Sequence, residues 1–104
     1  MHKLVVFVPE SHKDAVKQAL FAAGAGKIGD YEHCCWETSG TGQFRPLAEA
    51  NPFLGQAGQL ETLIEFRIEM VVADQQVAAV IAALRASHPF EEPAFDLWKL
   101  LELD

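Results

Sequence analysis

Between Leu60 and Val72 the chain alternates: Leu60, Thr62, Ile64, Phe66, Ile68, Met70 and Val72 interleave with Glu61, Leu63, Glu65, Arg67, Glu69 and Val71. Alternation sustained over that length predicts a long strand with one apolar face. Leu4 to Val8 is apolar on both alternating sides (Leu4, Val6, Val8 and Val5, Phe7), as an interior strand requires, and Pro9 ends it. His33 to Phe44 reads as a strand of irregular pattern. Cys34 and Trp36 share a face there, and Gly40 and Gly42 mark a bulge or sharp twist. Phe95 to Leu103 supplies a last strand.

Two segments carry helical spacing instead. Ser11, with Asp14 three residues on, offers an N-cap, after which Ala15, Val16, Ala19, Leu20 and Ala23 recur on one side until Gly24 closes the helix. Asp74 offers a second cap, followed by the stripe Val77, Val80, Ile81 and Leu84 and the stop Ser87-His88-Pro89. Arg45 to Gly58 is a long loop containing proline and glycine. The order β-α-β-β-α-β predicts an α+β, ferredoxin-like domain, an antiparallel sheet with both helices on one face. The other face then needs a cover. Leu63, Val71 and some of Trp98, Leu100 and Cys35 are expected there, so self-association is predicted.

Length and charge narrow the picture. The 104 residues suit one domain, residues 1–104, with one core. Half of them are hydrophobic, in short runs far from the ~20 that a membrane span needs, which predicts a soluble protein without a membrane partner. The formal charge of -7 argues against nucleic acid or anionic lipid, which would be repelled at long range. Cys34 and Cys35 are adjacent and cannot form a relaxed disulfide with each other, so reduced thiols and a cytoplasmic location are expected.

The candidate chemistry is sparse. Gly24-Ala25-Gly26-Lys27-Ile28-Gly29 fits G-x-G-x-x-G, but it follows a helix and precedes a strand, the reverse of a dinucleotide site, so a helix stop and turn is the reading. His33, Cys34 and Cys35 are three soft-metal ligands in a row, of which only His33 and Cys35 would converge from a strand. His88-Pro89-Phe90-Glu91-Glu92-Pro93 sets an imidazole and two carboxylates between stiffening prolines. It suits a cation or acid-base chemistry, against the plainer reading of a helix stop with Phe90 in the core and solvated carboxylates. Glu61, Glu65 and Glu69, with Arg67 among them, form a solvated or inter-subunit polar face. No P-loop, Cys-x-x-Cys or nucleophile motif is present, so no catalytic residue is assigned.

Gly24, Gly26, Ile28, Gly29, Tyr31, Cys34, Gly40, Gly42, Phe44, Pro46, Asn51, Pro52, Gly55, Gly58, Glu61, Glu65 and Arg67, followed by His88-Pro89-Phe90-Glu91, carry a family likeness over most of the chain. Their pattern resembles the insertion domain of the NGG-one-interacting factor three family, also called dinuclear-metal-centre hexameric proteins. More weakly, the chain is similar to CutA divalent-cation-tolerance proteins, ferredoxin-like trimers related to PII signalling proteins. The resemblance implies a standalone version of that insertion domain, a homotrimer with a small-ligand-binding or regulatory role. The implied subunit groove is lined by Gly26, Gly29, Tyr31, Asn51, His88 and Glu91. The CutA likeness implies an alternative, a divalent metal as cofactor with His33, Cys35, His88 and Glu91 as ligands. The dinuclear site of the longer family is built from portions flanking the insertion, so the resemblance assigns none of its ligands here. Phe90 stands where His-Pro-Tyr-Glu is the more usual pattern, which removes a hydroxyl.

Overall fold

Alternation in β1 (His2–Pro9) and β3 (Glu61–Val72) sends Leu4, Val6 and Val8 to the same side as Phe66, Ile68 and Met70, because the antiparallel register pairs Leu4 with Met70, Val6 with Ile68 and Val8 with Phe66. The computed structural model, which describes residues 1–103, adds β2 (Trp36–Phe44) outside β3 and β4 (Phe95–Lys99) outside β1. The sheet order is β2-β3-β1-β4, with every pairing antiparallel. The helices α1 (Lys13–Ala22) and α2 (Val77–Ser87) cover the side that carries Leu4 and Ile68. This is the predicted ferredoxin-like arrangement.

The core lies between that face and the helices. Leu4, Val6, Val8, Ile68 and Val72 meet Val16 and Leu20 of α1 and Val80 and Leu84 of α2, all exposed by 1% or less. Each such side chain contributes about 1.5–3 kcal/mol by leaving water, which makes this layer the main source of stability. No helix among the described residues is long and apolar enough to cross a membrane.

Both helix starts differ from expectation. Short 3-10 turns, Glu10–His12 and Asp74–Gln76, precede α1 and α2, so Ser11 and Asp74 do not cap them. The Ser11 hydroxyl lies 2.8 Å from Nδ1 of His12, and the Asp74 carboxylate takes Lys99 Nζ at 2.7 Å, tying α2 to β4. Lys99 is the leading cause holding the Asp74 carboxyl well below its ordinary range. The end of α1 is as expected. Gly24 has φ 106°, and the bonds Gly24 N to Phe21 O and Ala25 N to Leu20 O form a Schellman closure.

The segment after that closure is not a strand. Gly26 N donates to Val71 O at 2.8 Å and Gly26 O accepts from Cys34 N at 2.8 Å, pinning residues 24–35 beside the end of β3. Between these anchors Ile28 and Tyr31 exchange both backbone bonds across Gly29 and Asp30, a two-residue hairpin with Gly29 (φ 54°) at its first central position. His33 has φ 59° and stacks on Phe21 at 4.7 Å, so the predicted strand begins only at Trp36.

The second face of the sheet carries no helix. Register places Lys3, Val5 and Phe7 there with Arg67, Glu69 and Val71, and Trp36 and Trp98 with them. Trp36 is 58% and Trp98 43% exposed, whereas Val5, between its partners Glu69 and Asp96, is 1% exposed. Leu63 and Val71 are on this face as expected. Cys35 is not: it packs on the helix-side core, and Leu100 lies past the end of β4.

A Cβ at Gly26 would come within 2.8 Å of Cys34 O and 2.9 Å of the Phe21 ring, whereas one at Gly29 meets nothing within 4 Å. Both positions have positive φ. Gly29→Ala is therefore expected to cost only the left-handed backbone penalty of about 1–2 kcal/mol, and Gly26→Ala clearly more. Urea denaturation of the two variants checks the order, and equal costs would refute the packing described for Gly26.

Candidate functional site

A cleft of about 490 Å³ lies at the end of the sheet where β2 stops and β3 starts. Its outer wall is the long loop after β2. Pro46 O accepts from Gly58 N at 2.8 Å, which closes the loop's neck, and Pro46 itself is buried. Gly55, with φ 91°, brings the backbone so near β3 that a Cβ would lie 2.6 Å from Glu61 Cγ. The opposite wall is residues 90–94, between α2 and β4. Glu91 straps the two walls together: its carboxylate accepts the Asn51 N–H at 3.1 and 3.3 Å.

Aromatic rings line the interior. Phe90 lies 6.0 Å from Phe44 and 6.2 Å from Phe53, both in tilted geometry, and His12 meets Phe53 edge-on at 5.4 Å. The plainer reading of this segment puts Phe90 in the core; it lines this cleft instead, because Pro89 turns the chain away from α2 before it can pack inward. The floor includes Glu65 of β3. Gly42 has no side chain, and the Glu65 carboxylate lies where its Cβ would be. Burial alone pushes the Glu65 carboxyl up, with no charge or hydrogen bond opposing it.

His88 stands behind this wall rather than in it. At 5% exposure it ends α2 in extended conformation, Nε2 donating to Phe7 O at 2.7 Å and Nδ1 accepting from Phe90 N at 3.2 Å. Those two bonds define the neutral tautomer with the proton on Nε2. Burial, opposed by the Phe7 carbonyl, holds its pKa below the ordinary value of 6.5. Both nitrogens are occupied, so His88 in this state is a structural pin between α2, β1 and the cleft.

The candidate residues therefore form two groups. Asn51 and Glu91 meet in the cleft with His88 behind them. Gly26, Gly29 and Tyr31 belong to the small hairpin anchored at Val71, the far end of β3 from Glu65, and Tyr31 projects at 76% exposure. His33 and Cys35 sit with that second group, against Phe21 and the core. Within one chain the four proposed metal ligands are not united, and no cluster of three or more His, Cys, Asp or Glu suited to a metal occurs among the described residues. The cleft residues that sequence reasoning missed are Phe44, Phe53 and Glu65. The available signal was the loop itself, since structureless loops beyond about 12–15 residues are uncommon in compact domains and often functional.

Over nearly its whole length the chain is homologous to one segment of longer proteins. A GTP cyclohydrolase 1 type 2 homolog of Halalkalibacterium halodurans is 50% identical over 100 residues, which take in 96% of this chain and 27% of that protein. The protein of the same name in Mycobacterium leprae is 48% identical over 101 residues, 97% of this chain and 26% of its own length. The chain thus spans about a quarter of the curated relatives it matches. Among solved structures, a Bacillus cereus protein related to NIF3 superposes with TM-score 0.79 at 42% identity, covering 95% of this chain and 25% of that one. The periplasmic divalent cation tolerance protein CutA of Archaeoglobus fulgidus gives TM-score 0.68 at 15% identity over 98% of this chain and 86% of its own, a likeness of fold. No family model matches the chain. The resemblance to the NGG-one-interacting factor three family and to the CutA fold is thereby shown.

The neutral state of buried His88 makes stability depend on pH. The unfolded chain takes up this proton more readily, so the stabilisation is complete above the ordinary pKa of 6.5 and is lost as pH falls below it. Denaturation midpoints are expected to drop from neutral to mildly acidic pH in the wild type, and less steeply in His88→Gln, which keeps an N–H for Phe7 O. The other three histidines are common to both proteins. Parallel pH profiles for the two would show that His88 contributes nothing to the slope.

Proposed function

We propose, from the kinship with one segment of the NIF3-related proteins, that this chain acts as a non-catalytic, self-associating domain with a small-ligand-binding or regulatory role. In this reading it forms a homotrimer through the uncovered face of the sheet. The observation that carries the proposal is that face: two tryptophans, Trp36 and Trp98, stand 58% and 43% exposed beside Val71 and Leu63 on a side with no helix. Apolar area of this kind is stabilised when a second copy covers it. Contact between copies would also allow the projecting Ile28–Tyr31 hairpin of one subunit to approach the Asn51 and Glu91 end of another, uniting the two groups of candidate residues in a subunit groove.

The relatives' name, GTP cyclohydrolase 1 type 2 homolog, is carried by proteins of which this chain matches about a quarter. The cleft does not favour the same substrate here. Glu49, Glu65, Glu91 and Glu92 line it against the single cation Arg45, and a triphosphate would meet net repulsion. The divalent-metal alternative needs His33 and Cys35 of one copy to join Glu91 of another, with His88 released from Phe7 O; no separate observation favours it.

Light scattering at increasing concentration tests the assembly, with three times the chain mass expected. Trp98→Lys leaves the helix-side core untouched and is expected to keep the circular dichroism of the wild type while losing the higher mass. A wild type that stays monomeric, or a Trp98→Lys variant that assembles unchanged, would refute this use of the open face.

A further inference from the structure

The aromatic cleft is built within one chain, and its chemistry points to a ligand class. We propose that it binds a small organic amine, an apolar ring-bearing body with one protonated amino group. This deepens the ligand-binding part of the function proposed above and does not depend on the assembly.

Three features converge. The volume, about 490 Å³, is of the size that encloses a small organic molecule. The rings of Phe44, Phe53 and Phe90 supply a body contact, and their faces attract a cation held near them. Glu65 supplies the anchor. Of the carboxylates in the lining, Glu91 already accepts the Asn51 N–H, whereas Glu65, half-buried, shares the lining with the rings, and partial burial is the one cause acting on its carboxyl. An ammonium group would replace the water that Glu65 has lost, by a charge-assisted hydrogen bond at a site where competing solvent is reduced. The remaining charges reinforce the sign, since Glu49 and Glu92 stand against Arg45 alone. Gly42 is the sequence feature that makes this possible: any side chain there would occupy the space of the Glu65 carboxylate.

Amide-resolved NMR titration of the full chain with phenethylammonium, phenethyl alcohol and phenylacetate tests the proposal. Phenethylammonium is expected to give saturable shifts at Phe44, Phe53, Gly55 and Phe90, about tenfold tighter than the neutral alcohol, with phenylacetate weakest. Glu65→Gln removes a desolvated charge without changing shape, so the fold is expected to persist while the amine falls to the affinity of the alcohol. Trp98→Lys is expected to bind like the wild type, since Glu65 and the rings of Phe44, Phe53 and Phe90 all belong to one chain. Absence of saturation, equal binding of phenylacetate, an unaltered Glu65→Gln, or loss of binding in Trp98→Lys would each overturn the proposal. So would saturable binding of a lysine-bearing peptide without any of phenethylammonium, which would make the cleft a protein-docking site.

Discussion

A four-stranded sheet has two faces, and this chain has helices for one. The remaining constraints follow from that shortage. α1 and α2 bury Leu4, Val6, Val8, Ile68 and Val72 on one side, and this contact supplies most of the stabilisation. The opposite side is left with Trp36, Leu63, Val71 and Trp98 among Lys3, Arg67 and Glu69. Such a mixture is too apolar to be indifferent to a partner and too charged to resemble a second core. In the proposed assembly it is the contact surface, in which apolar patches carry affinity and charges fix orientation.

The same sheet divides the functional residues. β3 is twelve residues long, and its two ends hold different structures. At the Val71 end, backbone bonds through Gly26 hang a small hairpin; at the Glu65 end, the long loop and residues 90–94 enclose the aromatic cleft. His88 links the cleft wall to the core, because its ring bonds both Phe7 O in β1 and Phe90 N in the wall. On the helix side Lys13 and Lys17 both reach Glu37 of β2, at 2.8 and 2.6 Å. That ion triad holds the outer strand against α1, and the two lysines keep the Glu37 carboxyl below its usual range.

What could be read from the residues was what repeats. The alternation from Leu60 to Val72 located β3 to within one residue, and the stripe Val77, Val80, Ile81, Leu84 located α2, because burial of every second or every third and fourth residue leaves a periodic trace. Caps were less legible. Ser11 and Asp74 have the right chemistry, but 3-10 turns displaced both starts: the Ser11 hydroxyl turns to the ring of adjacent His12, and Asp74 is taken by Lys99, 25 residues away. The run His33-Cys34-Cys35 looked like strand; a left-handed His33 and the Gly26 to Cys34 bond, both products of the fold, broke it. The cleft was hidden for a similar reason. Glu65 reads as one more polar position of an alternating strand, and only the pairing of β2 on β3, which sets Gly42 opposite Leu63 and beside Glu65, reveals its role.

In the proposed assembly a second copy of the chain covers the open face, and both tryptophans of the sequence, Trp36 and Trp98, lie on that face. Acrylamide quenching of their fluorescence as the protein is diluted measures this directly. Weak quenching is expected at high concentration, rising as the assembly dissociates. Strong, concentration-independent quenching, equal to that of two solvent-exposed indoles throughout, would contradict it.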